Sequence, residues 1–525
     1  MSDDRMLTDV ASRVLELAKK FGASSADAVV SRGTEFEVKV ADGAIVTLTQ
    51  ATSKGMGLRV FVDGRLGFCT TSDFADASLA YAVERAVQMA REAAPDPHNG
   101  LVDLEPGLKV AGDELELYDP AVAAIPTEEK IRWAHALEEA ARAADPRVKK
   151  FRDSGVSNGE SHTVLATTAG ALRAVRSTGI ALWCNPIAEA DGQLQTEVWY
   201  DSRTHVADLE KPEDVGRIAG QRAARMLGAK PVKTQVAHLI LEPAMAAGFM
   251  GSMLAAIDGD SVYKKASFLA DKLGKAIGTK ALTLIDDPHI KRGNASSPFD
   301  GEGLATYKKK LVDAGVLTTF LYDGYTARKA GVKPTSSAKR GYSSPPHAGV
   351  FNFIVQAGDV APENIWKDVD CALVLTRGLG RGLNSVSGEY SRGANGLWIE
   401  KGEVVHPVQE VTIAGDYLAM LAMMRIAQSD NDAAQAVSLA NRSVDKGSAW
   451  GHYAIGVMYY QGINFVVDYV RAATAFKTAA DMGLPRAQWR LCLMGIDGNM
   501  NLGIAATREE IGSYCSKAAE AYDSF

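Results

Sequence analysis

Read for its alternation of apolar and polar positions, the chain opens with a helix. Leu7, Val10, Val14, Leu15, Leu17 and Ala18 share one face, and Gly22 follows as a stop. Ala26 to Val30, Phe36 to Val40 and Ile45 to Thr49 read as strands, with Asp42-Gly43 as a hairpin turn. Gly57 to Val62 is another strand, turned by Asp63-Gly64 into Arg65 to Thr70. A helix from Asp76 to about Ala93 ends at Pro95 and Pro97. Leu101 to Pro120 is irregular and acidic, a linker. Pro126 to Ala144 is helical, with Thr127 as cap and Ile131, Ala134, Leu137 and Ala141 on one face. Val164 to Thr167, Leu172 to Ser177 and Ile180 to Cys184 read as strands, and Pro212 to Gly228 as a helix.

From residue 235 the pattern changes. Val236 to Leu241 is a strand, and Glu242-Pro243 starts an apolar helix to Ile257, with Pro where its missing N–H costs nothing. Short apolar runs then alternate with Gly-, Asp- and Asn-rich turns: Leu282 to Ile285, Thr318 to Tyr322, Phe351 to Gln356, Ala372 to Thr376, Leu397 to Glu400 and Val408 to Ile413. The last hundred or so residues are Ala-rich, helical and repetitive. At a spacing of 36, Asp432, Ala436, Asp445, Gly447, Ile455, Met458 and Gly462 match Asp468, Ala472, Asp481, Gly483, Leu491, Met494 and Gly498. A fixed period of this size marks stacked helical hairpins. The expected fold class is α+β. It comprises an N-terminal helix and antiparallel-sheet part (1–100), a middle α/β region (101–234), a largely antiparallel, barrel-like or layered β-rich domain (235–420) and an all-α helical-repeat tail (430–525).

Composition narrows the function classes. The net charge of −7 argues against a general nucleic-acid binder, which needs a basic face. The longest uncharged stretch, Pro243 to Ile257, is too short to span a bilayer as a helix, and Met-Ser-Asp-Asp-Arg does not open a signal peptide. Cys69, Cys184, Cys371, Cys492 and Cys515 are scattered and odd in number. They read as free thiols of a reducing cytoplasm, with no disulfide or zinc framework.

Several residues are candidates for chemistry. Asp300 and Glu302 in a Gly-rich loop are spaced for an acid/base pair, or else order the loop and hold a basic partner. Arg328, Lys329, Lys339 and Arg340 flank a Ser/Thr-rich loop and could grip a peptide carboxylate, or else be solvated; Asn384 is a further substrate-contact candidate. Asp286, Asp287 and His289 could converge on a metal, but a linear run rarely supplies that geometry. Ser385 and Ser387 lack the G-x-S-x-G elbow and an assignable His partner, and the Gly378, Gly380, Gly382 turn opens no helix. His135 reads as structural, and Trp450, Tyr453, Tyr459, Tyr460 and Trp489 as core of the repeats.

An ordered set of segments resembles the TldD/PmbA metallopeptidase family. It runs through Gly57-Leu58-Arg59-Val60, Asp63-Gly64-Arg65-Leu66-Gly67, Ser267 to Gly274, Asp286-Asp287-Pro288, Ser297 to Gly303 and Gly315-Val316-Leu317. It continues through Tyr325 to Lys329, Ser391 to Ala394, Trp398-Ile399-Glu400 and Glu410 to Gly415. The resemblance covers about Leu7 to Leu421, and Phe268 to Gly274 points to the TldE side of the TldD/TldE pair. The family's active subunit, TldD, carries H-E-x-x-x-H, two imidazoles to share zinc and a Glu to take a proton from bound water. Aligned on Gly259-Asp260, the motif's His, Glu and His fall on Met250, Gly251 and Ala255. The resemblance therefore implies a cytoplasmic, metal-free subunit that pairs with a zinc-bearing TldD-type partner to enclose a peptide-cleaving chamber. Family substrates are unfolded or small peptides, including microcin precursors and antitoxins. The tail resembles Sel-one-like repeats, relatives of tetratricopeptide repeats, and stands where the family's closing strand is expected. Two rival readings are an adaptor that recruits a partner through the tail, and an independent hydrolase using Asp300 and Glu302.

Overall fold

The computed structural model describes residues 3–104, 107–108, 110–358, 365, 369–380, 382–422 and 424, and in the tail 449, 452–453, 455–456, 459, 469–496 and 508–522. It falls into two compact units: Met1–Gln356 with Glu363–Arg425, and Ala357–Pro362 with Ile426–Phe525.

The first unit begins with α1 (Asp3–Lys20), whose Leu7, Val10, Ala11, Val14, Leu15 and Ala18 are buried as the spacing predicts. Three strands follow, β1 (Ser25–Ala41), β2 (Ala44–Val62) and β3 (Arg65–Thr71), and then α2 (Asp76–Glu92). Both Asp-Gly pairs turn hairpins, with φ of 53° and 81° at Asp42-Gly43 and 49° and 73° at Asp63-Gly64. The separate strands expected within 26–40 and within 45–62 are single long ones. Polar stretches such as Arg32-Gly33 and Thr52-Ser53 break the apolar alternation but not the backbone ladder, because β1 is paired on both sides, with β2 and β4.

Next come α3 (Pro120–Ala124), α4 (Thr127–Ala144), β4 (Val148–Thr167), β5 (Leu172–Ala190), β6 (Gln193–Thr196), β7 (Trp199–Arg203) and α5 (Pro212–Arg225). Thr127 is not the cap of α4; Pro126 occupies that position, and no side chain caps the helix. The sheet order is β3-β2-β1-β4-β5-β6, with β7 also on β5. Regions 1–100 and 101–234 therefore share one sheet, joined from Asp27↔Thr167 to Val40↔Ser154. α1 and α2 cover one end of it over Ala26, Ala28, Leu58 and Val60. α4 and α5 cover the other over Val38, Val40, Val156 and Leu182. Those two helices touch closely because α5 presents glycines. A Cβ at Gly216 or Gly220 would lie 2.2 Å from the Leu137 carbonyl oxygen or 2.5 Å from that of Ala141.

The rest of the unit comprises β8 (His238–Leu241), α6 (Pro243–Gly251), α7 (Gly259–Tyr263), β9 (Leu284–Asp286), β10 (Lys309–Asp313), β11 (Val316–Leu317), α8 (Gly324–Ala330), β12 (Ala338–Lys339), β13 (His347–Ala348), β14 (Phe353–Val355), β15 (Cys371–Leu379), β16 (Glu389–Glu400), β17 (Glu403–Asp416) and α9 (Tyr417–Ala422). Among the described residues these strands make two four-stranded sheets, β11-β10-β9-β14 and β17-β16-β15-β8, and the β12-β13 ribbon, rather than one barrel. Only the β15–β8 pairing among them is parallel. Thr318 to Tyr322 is not a strand. Its backbone groups are spent elsewhere: Thr318 N–H donates to Leu311, Leu321 N–H to Ile257, and the Leu321 carbonyl accepts from Gly259 N–H.

In the second unit, helices Tyr469–Asp481, Pro485–Ile496 and Arg508–Tyr522 pack through Ala472, Ala473, Phe476, Ala479, Leu491, Met494 and Tyr514. Of the repeat positions, Ile455, Ala472, Asp481, Gly483, Leu491 and Met494 are described. Asp432, Ala436, Asp445, Gly447, Met458, Gly462, Asp468 and Gly498 lie outside the described residues, as do Trp450 and Tyr460. The cysteine expectation needs correction. Cys492 and Cys515, 23 apart in sequence, form a disulfide between two of these helices, while Cys69, Cys184 and Cys371 are free. Linear spacing hid the pair because adjacent helices, not a motif, bring the sulfurs together. No helix among the described residues is long and apolar enough to cross a membrane.

Candidate functional site

The helix that matters most to the sequence argument is α6. Glu242 precedes it and ion-pairs with Arg222 at 2.7 Å and Arg225 at 2.8 Å, both on α5. Arg222 also reaches the buried Glu197 at 3.2 Å. Burial raises the Glu197 pKa, against the pull of the nearby arginines. This network fixes where α6 starts. Along it, Phe249 and Met250 are buried, while Ala244, Ala247 and Gly248 are exposed. Phe249 packs on Tyr417 and Tyr390, ring centroids 4.8 and 5.0 Å away. Its carbonyl accepts two hydroxyls, Tyr417 Oη at 2.7 Å and Ser252 Oγ at 2.6 Å. The helix then tightens into a 3-10 turn over Ser252–Ala255. Side-chain bonding to a carbonyl at a helix end accompanies such tightening. Burial pushes the Tyr417 phenol well above its usual range.

Met250 is thus buried, Gly251 half-buried and Ala255 exposed. A thioether, a hydrogen and a methyl do not fit a zinc ion, which takes imidazole, thiolate or carboxylate donors. Among the described residues no three His, Cys, Asp or Glu are grouped to hold a metal.

The Asp300 loop is the opposite case, rich in functional groups that all face inward. Asp300 Oδ1 accepts the N–H groups of Glu302 at 2.9 Å and Leu304 at 3.0 Å, and Oδ2 that of Ala338 at 3.2 Å. Burial, with Glu302 beside it, pushes the Asp300 pKa up to about 7 despite those donors. Glu302 accepts from Arg59 Nη2 at 3.0 Å and from Gly324 N–H at 2.6 Å, at the start of α8. Arg59 also reaches Asp27 at 2.5 Å, and Arg340 Nη1 donates to Asp27 at 2.7 Å. The result is a buried row of alternating charge, Arg340–Asp27–Arg59–Glu302, with side-chain exposures of 0%, 2%, 6% and 1%. Burial works to raise the Asp27 pKa, but the Arg59 and Arg340 charges more than offset it and leave it lowered. Asp300 and Glu302 are neighbours, as the sequence suggests, and they order the loop and bind it to the sheet.

The basic cluster does not converge. Arg328 donates to the carbonyls of His98 at 2.6 Å, Gly100 at 3.0 Å and Leu101 at 3.3 Å. Lys329 lies over the rings of Tyr325 and Tyr263. Arg340 is committed to Asp27 through Nη1, although its Nε and Nη2 are buried without a partner. Asn384 uses its side-chain oxygen to accept Val386 and Ser387 N–H, closing its own turn. Ser387 Oγ meets Glu389, with no imidazole. Asp286, Asp287 and His289 diverge, to Lys309 at 3.1 Å, Lys308 at 2.9 Å and Thr306 at 3.0 Å. Sequence reasoning missed Asp27, Arg59 and Lys309 as members of charge clusters. The signal was present for two of them. Asp27 and Arg59 interrupt otherwise buried strand runs, where a charge must find a partner.

Comparison with known proteins supplies the family. Models of the PmbA/TldA metallopeptidase family match in order: domain 1 at 26–90, the central domain at 120–227 and the C-terminal domain at 234–450. Metalloprotease PmbA of Escherichia coli is 32% identical over 412 residues, covering 78% of this chain and 89% of that protein. The chain belongs to the PmbA/TldD metallopeptidase family. A PmbA homolog of Haemophilus influenzae is 29% identical over 85% of this chain and 96% of that protein. Among solved structures, a proposed modulator of DNA gyrase from Bacteroides thetaiotaomicron matches with a TM-score of 0.75 and 27% identity, over 82% of this chain and 94% of that one. TldE from Thermococcus kodakarensis, at 21% identity, shares the fold with a TM-score of 0.71 over 80% and 94% of the two chains. The PmbA/TldD C-terminal match runs to residue 450, past Leu421, where the motif resemblance ends.

Proposed function

We propose that this chain is the metal-free, TldE-side subunit of a TldD/TldE-type peptidase. Its work is to complete a peptide-cleaving chamber and to hold an unfolded peptide, while a TldD-type partner supplies the zinc and the Glu base. The observation that carries this reading is that α6 is kept, anchored by Glu242 and packed through Phe249 on Tyr390 and Tyr417, while Met250 and Gly251 at its end and Ala255 in the turn after it stand at the chemical positions. A helix retained without its donors serves as architecture. The inward duties of Asp300 and Glu302 weigh against an independent hydrolase.

Reconstitution tests the proposal. The purified chain alone should leave an unfolded peptide intact, and adding a TldD-type subunit should start cleavage. Cleavage by this chain alone, lost in Asp300→Ala, would overturn it in favour of the hydrolase. One observation favours the adaptor as a second reading: the helices after residue 469 form a compact unit with their own core, as expected of Sel-one-like repeats. Capture of a partner by the tail, with no association with a TldD-type subunit, would select that reading.

A further inference from the structure

Of the basic residues around the Ser/Thr-rich loop, two arginines are committed, Arg328 to backbone carbonyls and Arg340 to Asp27. Lys329 rests on the rings of exposed Tyr263 and half-buried Tyr325. Lys339 is different. It is half-buried on β12, its Nζ lies 3.8 Å from the centre of the Phe351 ring, and among the described residues no carboxylate stands within ion-pair distance of it. A second ammonium, Lys309 Nζ, lies 5.9 Å from the same ring. Lys309 is satisfied by Asp286 at 3.1 Å, and the other Asp286 oxygen accepts Phe351 N–H at 2.7 Å. Two cations therefore share one aromatic ring, and the nearby carboxylate already serves Lys309 and the Phe351 N–H. The next acid, Asp300, spends both oxygens on backbone N–H groups. A partly buried cation is ordinarily matched by an anion, and this one is not matched from within.

The surroundings look built for Lys339. A Cβ at Gly349 would come within 2.7 Å of Lys339 Cγ, so glycine leaves the room in which the lysine stem lies. His347 stands directly opposite Lys339 in the β12–β13 register and is exposed, as are Gly341, Ser343 and Pro345 around it. Lys339 thus sits half-buried beside an exposed edge. Burial works to lower its pKa, Lys309 adds to that, and Asp286 and Asp300 oppose it. The position is relevant to peptide binding, because Phe351 stands two residues before β14, and β14 packs against α6.

We propose that Lys339, backed by Phe351 and Lys309 and flanked by His347, is a seat for a carboxylate of a bound peptide. The proposal rests on the reading of this chain as a peptide-holding subunit. The carboxylate has two sources, a peptide's C-terminus or an acidic side chain, and the test separates them. Binding of three labelled, N-acetylated peptides to the full chain is measured by fluorescence anisotropy: one with a free C-terminus, its C-terminal amide, and an amide carrying one internal glutamate. The seat predicts that the free acid binds about tenfold more tightly than the amide if it holds a C-terminus. It predicts the same advantage for the glutamate amide if it holds a side chain. Lys339→Met should abolish the advantage, Lys339→Arg should retain part of it, and Lys308→Met, at an exposed neighbour paired with Asp287, should leave it intact. Equal affinities, no binding of any peptide, or an advantage that survives Lys339→Met in a normally folded variant would overturn the seat. Zinc found on the chain would sink the silent-subunit reading and leave this comparison untouched, so the two failures are distinguishable.

Discussion

α6 and the Asp300 loop make a pair of opposites. α6 and the turn after it lie where the family's chemistry is expected and present a thioether, a hydrogen and a methyl; the loop presents two carboxylates, next to two guanidinium groups, and every one is turned into the fold. The difference teaches that a functional residue type and a functional position are separate facts. On the proposed reading, α6 keeps the position without the residue types, and the loop keeps the residue types without an open position.

Breaking the loop should have the largest effect. Arg59→Met leaves Asp27 and Glu302 buried without their shared cation and should cost about 3–5 kcal/mol, read as a fall in denaturation midpoint. The same change on an exposed pair such as Lys291–Glu116 should leave the midpoint almost unmoved, because water screens that pair. The next effect is a pH dependence. Asp300 holds its proton in the folded chain up to about pH 7 but would lose it near the ordinary value of 3.8 when unfolded. The folded state therefore binds more protons between those values, and this group's contribution to stability falls as pH rises from about 4 to about 7. Asp300→Asn should flatten that slope in denaturant titrations run across the window; an unchanged slope would remove Asp300 as its source.

On the α6 side the effects are smaller. Tyr417→Phe removes the hydroxyl that meets the Phe249 carbonyl, which Ser252 still satisfies, and should cost about 1 kcal/mol. Smallest of all is Gly251→Ala. Nothing lies within 4 Å of where its Cβ would be, so the change should stabilise the helix by up to about 1 kcal/mol. It should also leave intact any peptide cleavage that the chain supports together with a TldD-type subunit. Loss of cleavage would mean that Gly251 has a role beyond architecture.

Much of this was legible in sequence where the signal was local. The periodicity of Leu7 to Ala18 and the Asp42-Gly43 and Asp63-Gly64 turns each depend on a few adjacent residues, and each stands as read. The apolar helix after Glu242 was legible too, apart from its 3-10 end, where Tyr417, 168 positions from Phe249, joins Ser252 on the Phe249 carbonyl. Long-range pairings were not legible. Arg59 meets Glu302 across 243 positions and Arg340 meets Asp27 across 313, so only the odd charge within a buried run hinted at them. The full length of β1 and β2 was hidden because polar residues sit in a ladder held by its neighbours. The Cys492–Cys515 bond was hidden because helix packing, not a spacing motif, creates it.

The central claim concerns α6, and metal analysis of the chain purified without any partner tests it most directly. After equilibration with zinc and removal of loosely held ions, the account predicts far less than one zinc per chain, with stoichiometric metal appearing only when a TldD-type subunit is added. One tightly held zinc per molecule of this chain alone would contradict it.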